Sequence, residues 1–117
     1  METKQVLICE FLDWYIEPND GFIELPYEIK ENYNDGITYC KPYDLKFNSD
    51  WNWLMLAIDK IEKMNVGVHI CKDHCIIHKI ATDDSNYFHR ETNNNKMQAV
   101  FDSVIRFIEW NNLKLNK

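Results

Sequence analysis

The chain has 117 residues, the size of a single domain spanning 1–117, and 45% of them are hydrophobic and 27% charged. That composition is typical of a globular protein with its own core and excludes an intrinsically disordered chain. The net charge is −6, and residues 1–50 account for it, with eleven Asp or Glu against four Lys. Because affinity for nucleic acid comes mainly from Lys and Arg, this acidic half argues against a nucleic-acid partner.

The N-terminal sequence predicts neither a signal peptide nor a membrane span. Its apolar run covers only residues 6–9 before Glu10 interrupts it. Four cysteines in a chain without a leader are expected to be reduced thiols. We therefore expect a cytoplasmic protein with no membrane partner.

The first third of the chain predicts a helix followed by a strand. Apolar residues recur at helical spacing over 3–14, which predicts a short amphipathic helix. Turn-forming residues at 17–21 separate this helix from a strand at 22–29, and Pro26 favours a sheet edge for that strand. An Asn-Asp-Gly sequence at 34–36 predicts the next turn.

A second extended segment and the clearest helix follow. Residues 37–47 predict a strand interrupted by Pro42. Apolar residues at steps of three and four over 51–64 predict an amphipathic helix. Asn48 or Ser49 is the expected N-cap, because their side-chain oxygens can accept a hydrogen bond from the first turn.

Two tryptophans at the start of this helix cannot share one face. Positions two apart on a helix differ by about 200° around its axis. Trp51 falls on the apolar stripe with Leu54, Met55 and Ile58, so we expect Trp53 to point elsewhere. Trp53 then either packs against a neighbouring element or offers a stacking platform to a ligand or partner.

The rest of the chain predicts a hairpin and a final helix. Residues 66–72 and 75–81 are predicted strands joined by a tight polar turn, and 82–95 is a predicted polar loop. A broad apolar face predicts a helix over 95–112. The order α-β-β-α-β-β-α, with about four strands, predicts an α/β (α+β) fold, a small sheet sandwiched between helices.

The hairpin segment HICKDHCIIHKI carries three histidines and two cysteines, residue types that bind metal. A three-residue loop at 72–74 places His69, Cys71 and Cys75 on one face, which leaves a three-ligand metal site possible. A two-residue loop at 73–74 instead pairs His69 with His78 and places Cys75 on the other face. Neither register gathers the four ligands of a structural zinc site, so we expect an ordinary hairpin without a metal.

The polar loop holds the only dense set of acid, base and cation in the sequence. His89 with Asp84 or Glu91 is a candidate general base with a carboxylate partner. No glycine-rich phosphate loop or Gly-x-Ser-x-Gly motif is present, and we expect no cofactor and no enzymatic activity. The residues that we expect to bind a partner or ligand are Trp53, Tyr43, Tyr87, His89 and Arg90.

Two helical segments carry a resemblance to a known family. The first matches at Phe47, Trp51, Trp53, Leu54 and Met55, and the second at Ala99, Val100, Phe107, Ile108, Trp110 and Asn111. With ICEFLDW near the N-terminus, these segments resemble the phage ABA-sandwich domain family of small phage and prophage proteins. The chain departs from the family pattern at Asp50 and Asn52, and at Leu56, where the family has Pro. The resemblance implies a helix–sheet–helix sandwich and carries no catalytic residues.

These observations predict a non-enzymatic phage protein that binds host machinery, including a host defence system, in the cytoplasm of a bacterium. An acidic surface suits a basic partner. The alternative is an oligomeric protein that sequesters a small molecule or nucleotide by stacking on Trp53. A small enzyme using His89 and the acidic loop is the third hypothesis.

Overall fold

Three α-helices and two antiparallel sheets form the part of the chain that the computed structural model describes. Those residues are 2–26, 39–64, 66–79 and 88–115, with 2, 79, 88–90, 114 and 115 described by their backbone alone. The α+β class predicted from the sequence is confirmed. The predicted turn at 34–36 lies outside the described residues.

The first helix, α1 (Glu2–Phe11), ends in a left-handed turn. Asp13 has a φ of 62°, and the N–H groups of Asp13 and Trp14 donate to the carbonyls of Glu10 and Cys9 at 3.1 and 3.0 Å. This pair of bonds satisfies the last carbonyls of the helix. The helix therefore stops three residues before the predicted boundary.

The small sheet pairs β1 (Ile23–Glu24) with β2 (Tyr39–Cys40). Beyond β2 the predicted strand at 37–47 is wrong, because Pro42–Asp44 form a 3-10 helix. Proline suits the first turn of a helix, because the N–H groups there form no hydrogen bond within the helix. Residues 27–29 of the predicted strand at 22–29 lie outside the described residues.

The second helix, α2 (Trp51–Glu62), begins one residue after its N-cap. The Oδ1 atom of Asp50 accepts a hydrogen bond of 2.9 Å from the N–H of Asn52. The predicted caps Asn48 and Ser49 are therefore wrong, since the aspartate next to the helix satisfies its first turn.

The face that α2 buries also differs from the predicted one. Trp53 is 2% exposed, whereas Trp51 and Met55 are each 37% exposed. The ring of Trp53 contacts those of Trp14 and Phe47, with centroids 5.7 and 5.4 Å away. Trp14 follows α1 and Phe47 precedes α2, so Trp53 packs against neighbouring elements, which is the first of the two predicted alternatives.

The larger sheet has the order β3 (Val66–Ile70), β4 (His74–Lys79) and β5 (Phe88–Thr92), with both pairs antiparallel. The strand β5 falls inside the predicted polar loop, which corrects that prediction. The last helix, α3 (Lys96–Leu115), packs on β4 and β5, while α2 packs on β3.

The core lies between the helices and one face of this larger sheet. Val66, Cys75 and Ile77 are at most 4% exposed and share that face by register. Alternate residues of the same strands, His69 and Ile76 among them, are partly or fully exposed on the other face. Within the described ranges, no helix combines the length and the apolar character needed to cross a membrane.

Candidate functional site

A row of side chains crosses the small sheet on its outer face. The N–H of Glu24 donates to the carbonyl of Tyr15 at 3.0 Å, and Glu24 pairs with Tyr39 in the ladder. Directly opposed residues share a face, so the two tyrosines flank the glutamate. Tyr15 and Tyr39 are 53% and 50% exposed.

Tyr15 is oriented by an acidic neighbour. Its hydroxyl donates to Oε2 of Glu17 at 3.1 Å, and this hydrogen bond together with the negative charge raises the pKa of Tyr15 above its usual value. The phenol is therefore a neutral donor at physiological pH. A ring that is held in place and keeps a polar tip is suited to contact another molecule.

Lys41 lies between two further aromatic rings beside this row. Its Nζ atom is 5.8 Å from the centroid of the Phe22 ring and 5.6 Å from that of Tyr43, which is 62% exposed. A hydrogen bond to Tyr43 raises the pKa of the Lys41 ammonium, so the cation is retained. We call Tyr15, Tyr39, Tyr43 and Lys41 the tyrosine face.

A cleft of about 330 Å³ opens between the tyrosine face and the core. Its wall is mainly apolar, with charged groups at Lys41, Asp44 and Lys46. The lining residues are Phe22, Leu25, Tyr39, Cys40, Lys41, Asp44, Lys46 and Trp53. The cleft thus brings together two predicted binding residues, since Trp53 lines it and Tyr43 contacts its Lys41.

Two side chains of the cleft have restricted chemistry. Trp53 is nearly inaccessible, so only a small part of its ring borders the cleft and it is not an exposed stacking plate. Burial, with the charge of Asp44, raises the pKa of the Cys40 thiol to about 11. A protonated thiol is a poor nucleophile, so Cys40 is not an activated cysteine.

The hairpin adopts neither of the two predicted registers. Ile70 pairs with Cys75, and the N–H of Cys71 donates to the carbonyl of His74 at 2.8 Å, so the loop consists of residues 72 and 73. Both predicted registers pair Cys75 with a residue that follows Ile70 in the chain. As a result Cys75 is fully buried under α3, while His69 and Cys71 lie on the open face.

The three weak metal candidates His69, Cys71 and Cys75 are therefore not brought together. Instead, Nε2 of His69 lies 2.9 Å from Nε2 of His78, and Nδ1 of His74 lies 2.9 Å from Oδ1 of Asp73. Across the described ranges, no group of three His, Cys, Asp or Glu side chains has an arrangement that could hold a metal ion.

The acidic-loop candidates are only partly described. Asp84 and Tyr87 lie outside the described residues, and His89 and Arg90 are described by backbone alone, within β5. Glu91 lies 3.5 Å from Nε of Arg106 on α3, a contact that ties the strand to the helix. The described part of this loop therefore contributes a structural ion pair.

Sequence reasoning missed Tyr15, Tyr39 and Lys41. A signal for Tyr39 existed, because it lies in a segment predicted to be extended, but nothing local places it beside Tyr15. Three separate comparisons, with protein-family models, with curated proteins and with solved structures, found no match to this chain.

Proposed function

We propose that the chain is a non-enzymatic binding protein that docks on another protein through the tyrosine face. The observation that carries this proposal is the pair of half-exposed tyrosines, Tyr15 and Tyr39, which flank Glu24 beside a cleft of about 330 Å³. Tyrosine is enriched at protein interfaces because it contributes a large, fairly rigid contact area and a hydrogen bond. The cleft has room for an anchoring side chain of the partner.

The charge around the tyrosine face favours a basic partner. Glu17, Asp20 and Glu24 lie on the segments that form or border the row, within the acidic half of the chain. A partner that presents Lys or Arg around an apolar anchor would be steered to this surface and held in register. Lys41 and Lys46 at the cleft would pair with an acidic group at the centre of that contact.

The resemblance of the Trp51 to Met55 segment to phage ABA-sandwich proteins supports a phage origin for this activity. The partner would then be a protein of the bacterial host, and a basic component of host defence fits the charge argument. Under this proposal the protein acts in the bacterial cytoplasm at near-equal stoichiometry with its target.

The test begins with capture of a partner from a bacterial host lysate, followed by affinity measurements with the purified pair. We expect the double variant Tyr15→Ala/Tyr39→Ala to bind at least about tenfold more weakly, which is about 1.4 kcal/mol. The matched control is Leu113→Ala, which removes a side chain that is 67% exposed on α3. Equal affinity of the double variant and the control would contradict the assignment of the tyrosine face.

A small-molecule binder is the second candidate, and the cleft itself favours it. Its volume lies at the lower end of the range for ligand pockets, and its apolar wall with Lys41 and Lys46 suits an aromatic anion such as a nucleotide. A ligand present at about 100 times its dissociation constant would add about 2.7 kcal/mol of stability. A melting temperature that stays unchanged across a nucleotide panel would exclude this candidate.

Self-association is measured in the same series, because a second copy of the chain could occupy the tyrosine face. Native mass spectrometry of the wild type and the double variant reports this directly. A wild-type dimer that becomes a monomer in Tyr15→Ala/Tyr39→Ala would identify the partner as the chain itself.

A further inference from the structure

The open face of the larger sheet carries a pair of histidines with an unusual geometry. The Nε2 atoms of His69 and His78 are 2.9 Å apart, the ring centroids are 4.9 Å apart, and the ring planes differ by 19°. Because the centroids are farther apart than the nitrogens, the two nitrogens lie on the facing edges of the rings. Both reactive nitrogens therefore converge on one point.

The backbone register holds this pair in place. His78 pairs with Gly67 and His69 pairs with Ile76, so the two imidazoles are diagonal neighbours on one face of the ladder. Gly67, the partner of His78 in the ladder, has no side chain at the position opposite the imidazole. The strand β4 is bonded on both sides, to β3 and β5, which makes it a rigid support.

We propose that His69 and His78 form a two-histidine site for a divalent transition-metal ion, with water completing the coordination. Imidazole nitrogen is a good ligand for Ni(II), Cu(II) and Zn(II). This site is independent of the tyrosine face, which lies on the other sheet, and no third protein ligand from the described residues is part of it.

The separation of the nitrogens selects among these ions. With metal–nitrogen bonds of about 2.0–2.1 Å, two nitrogens 2.9 Å apart subtend about 90° at the metal. That is the cis angle of square-planar and octahedral ions, whereas a tetrahedral angle would need about 3.4 Å. If the metal-bound pair keeps this separation, it suits Ni(II) or Cu(II) better than Zn(II).

Binding requires a change of tautomer but no movement of the backbone. In the hydrogen-bonded pair, one Nε2 carries the proton and donates to the lone pair of the other. With the metal bound, both Nε2 atoms present lone pairs and each ring keeps its proton on Nδ1. Because His69 is exposed and His78 only partly buried, an ion from solvent can reach the two Nε2 atoms.

The test is calorimetric titration of the full chain with Ni(II), which avoids the oxidation of thiols that Cu(II) would cause. We expect one ion per chain, Ni(II) bound more tightly than Zn(II), and affinity at least about tenfold lower in His69→Ala and in His78→Ala. The matched control is His74→Ala, on the same strand, whose imidazole contacts Asp73 instead. It should bind within about twofold of the wild type, the scatter expected for a residue outside the pair.

Three results would overturn the proposal: unchanged affinity in both pair variants, an equal loss in His74→Ala, or tighter binding of Zn(II). A second readout does not depend on the variants folding. Ni(II) should broaden the ring resonances of His69 and His78 in the wild-type protein before any other histidine signal. Earlier broadening of another histidine would also contradict the site.

Discussion

The two faces of the larger sheet are built from alternate residues of the same strands, yet they differ sharply in burial. On the covered face, Cys75 and Ile77 are fully buried beneath the helices. On the open face, His69 and His78 meet at the surface, and Ile76, which pairs with His69, is only partly buried. Along β4, the burial of each residue from Cys75 to His78 follows the parity of its position in the strand.

This contrast explains why a segment rich in ligand-type side chains does not form a conventional metal site. The pleat sends one cysteine into the core and keeps the other cysteine and three histidines on the opposite side. If the pairing were shifted by one residue, the residues of one strand that now face the core would face outward, and the reverse.

The strongest test compares two adjacent isoleucines. Ile77→Ala should lower the free energy of unfolding by about 2–5 kcal/mol, because it leaves a cavity under α3. Ile76→Ala makes the same chemical change on the open face and should cost about 1 kcal/mol or less. Urea denaturation of both variants measures the difference, and equal losses would mean that the two faces are not distinct.

The cysteines of the hairpin provide a kinetic comparison. Cys71 is partly exposed beside the open face, whereas Cys75 is fully buried and must wait for local opening of the sheet. We expect a thiol reagent to modify Cys71 on the order of a hundredfold faster than Cys75 under native conditions. Mass spectrometry of digested, partly labelled protein identifies the site, and preferential labelling of Cys75 would contradict the register.

Alkaline pH should destabilise the protein in part through the covered face of the larger sheet. Burial raises the pKa of the Cys75 thiol above its ordinary value of 9.0, so the fold disfavours the thiolate. The stability that this thiol contributes is complete below pH 9 and is lost as the pH rises above 9. Stability measured from pH 8 upward should therefore fall less steeply in Cys75→Ala than in the wild type.

The matched variant for this pH series is Cys71→Ala, on the open side of the hairpin. It should retain the wild-type dependence on pH above 9. An equally reduced slope in both variants would show that burial of Cys75 is not the cause.

The sequence predicted the three helices and the α+β class because these depend on periodicity within each segment. The helical spacing that begins at residue 51 and the apolar face of 95–112 both correspond to observed helices. Features that depend on contacts between segments were predicted less well. The burial of Trp53 depends on Trp14 and Phe47, and β5 depends on pairing with β4, which its own polar sequence FHRET does not indicate.

The candidate site was predicted only in fragments for the same reason. Tyr43 and Trp53 were expected to bind, but Tyr15 and Tyr39 become neighbours only when Glu24 pairs with both of their strands. Pairing register depends on the whole sheet, so a single sequence left two hairpin alternatives open and the structure has a third.

The most direct test of this account is the proton NMR spectrum of the hairpin. Because Cys71 and His74 form a hydrogen-bonded pair, Ile70 and Cys75 are a non-hydrogen-bonded pair, in which the α-carbons lie only about 4.5 Å apart. We predict strong contacts between the α-protons of Ile70 and Cys75, and between those of Val68 and Ile77. Contacts joining Cys71 to Cys75 and His69 to Ile77 would instead establish the three-residue loop, bring Cys75 beside His69, and contradict the division of the two faces.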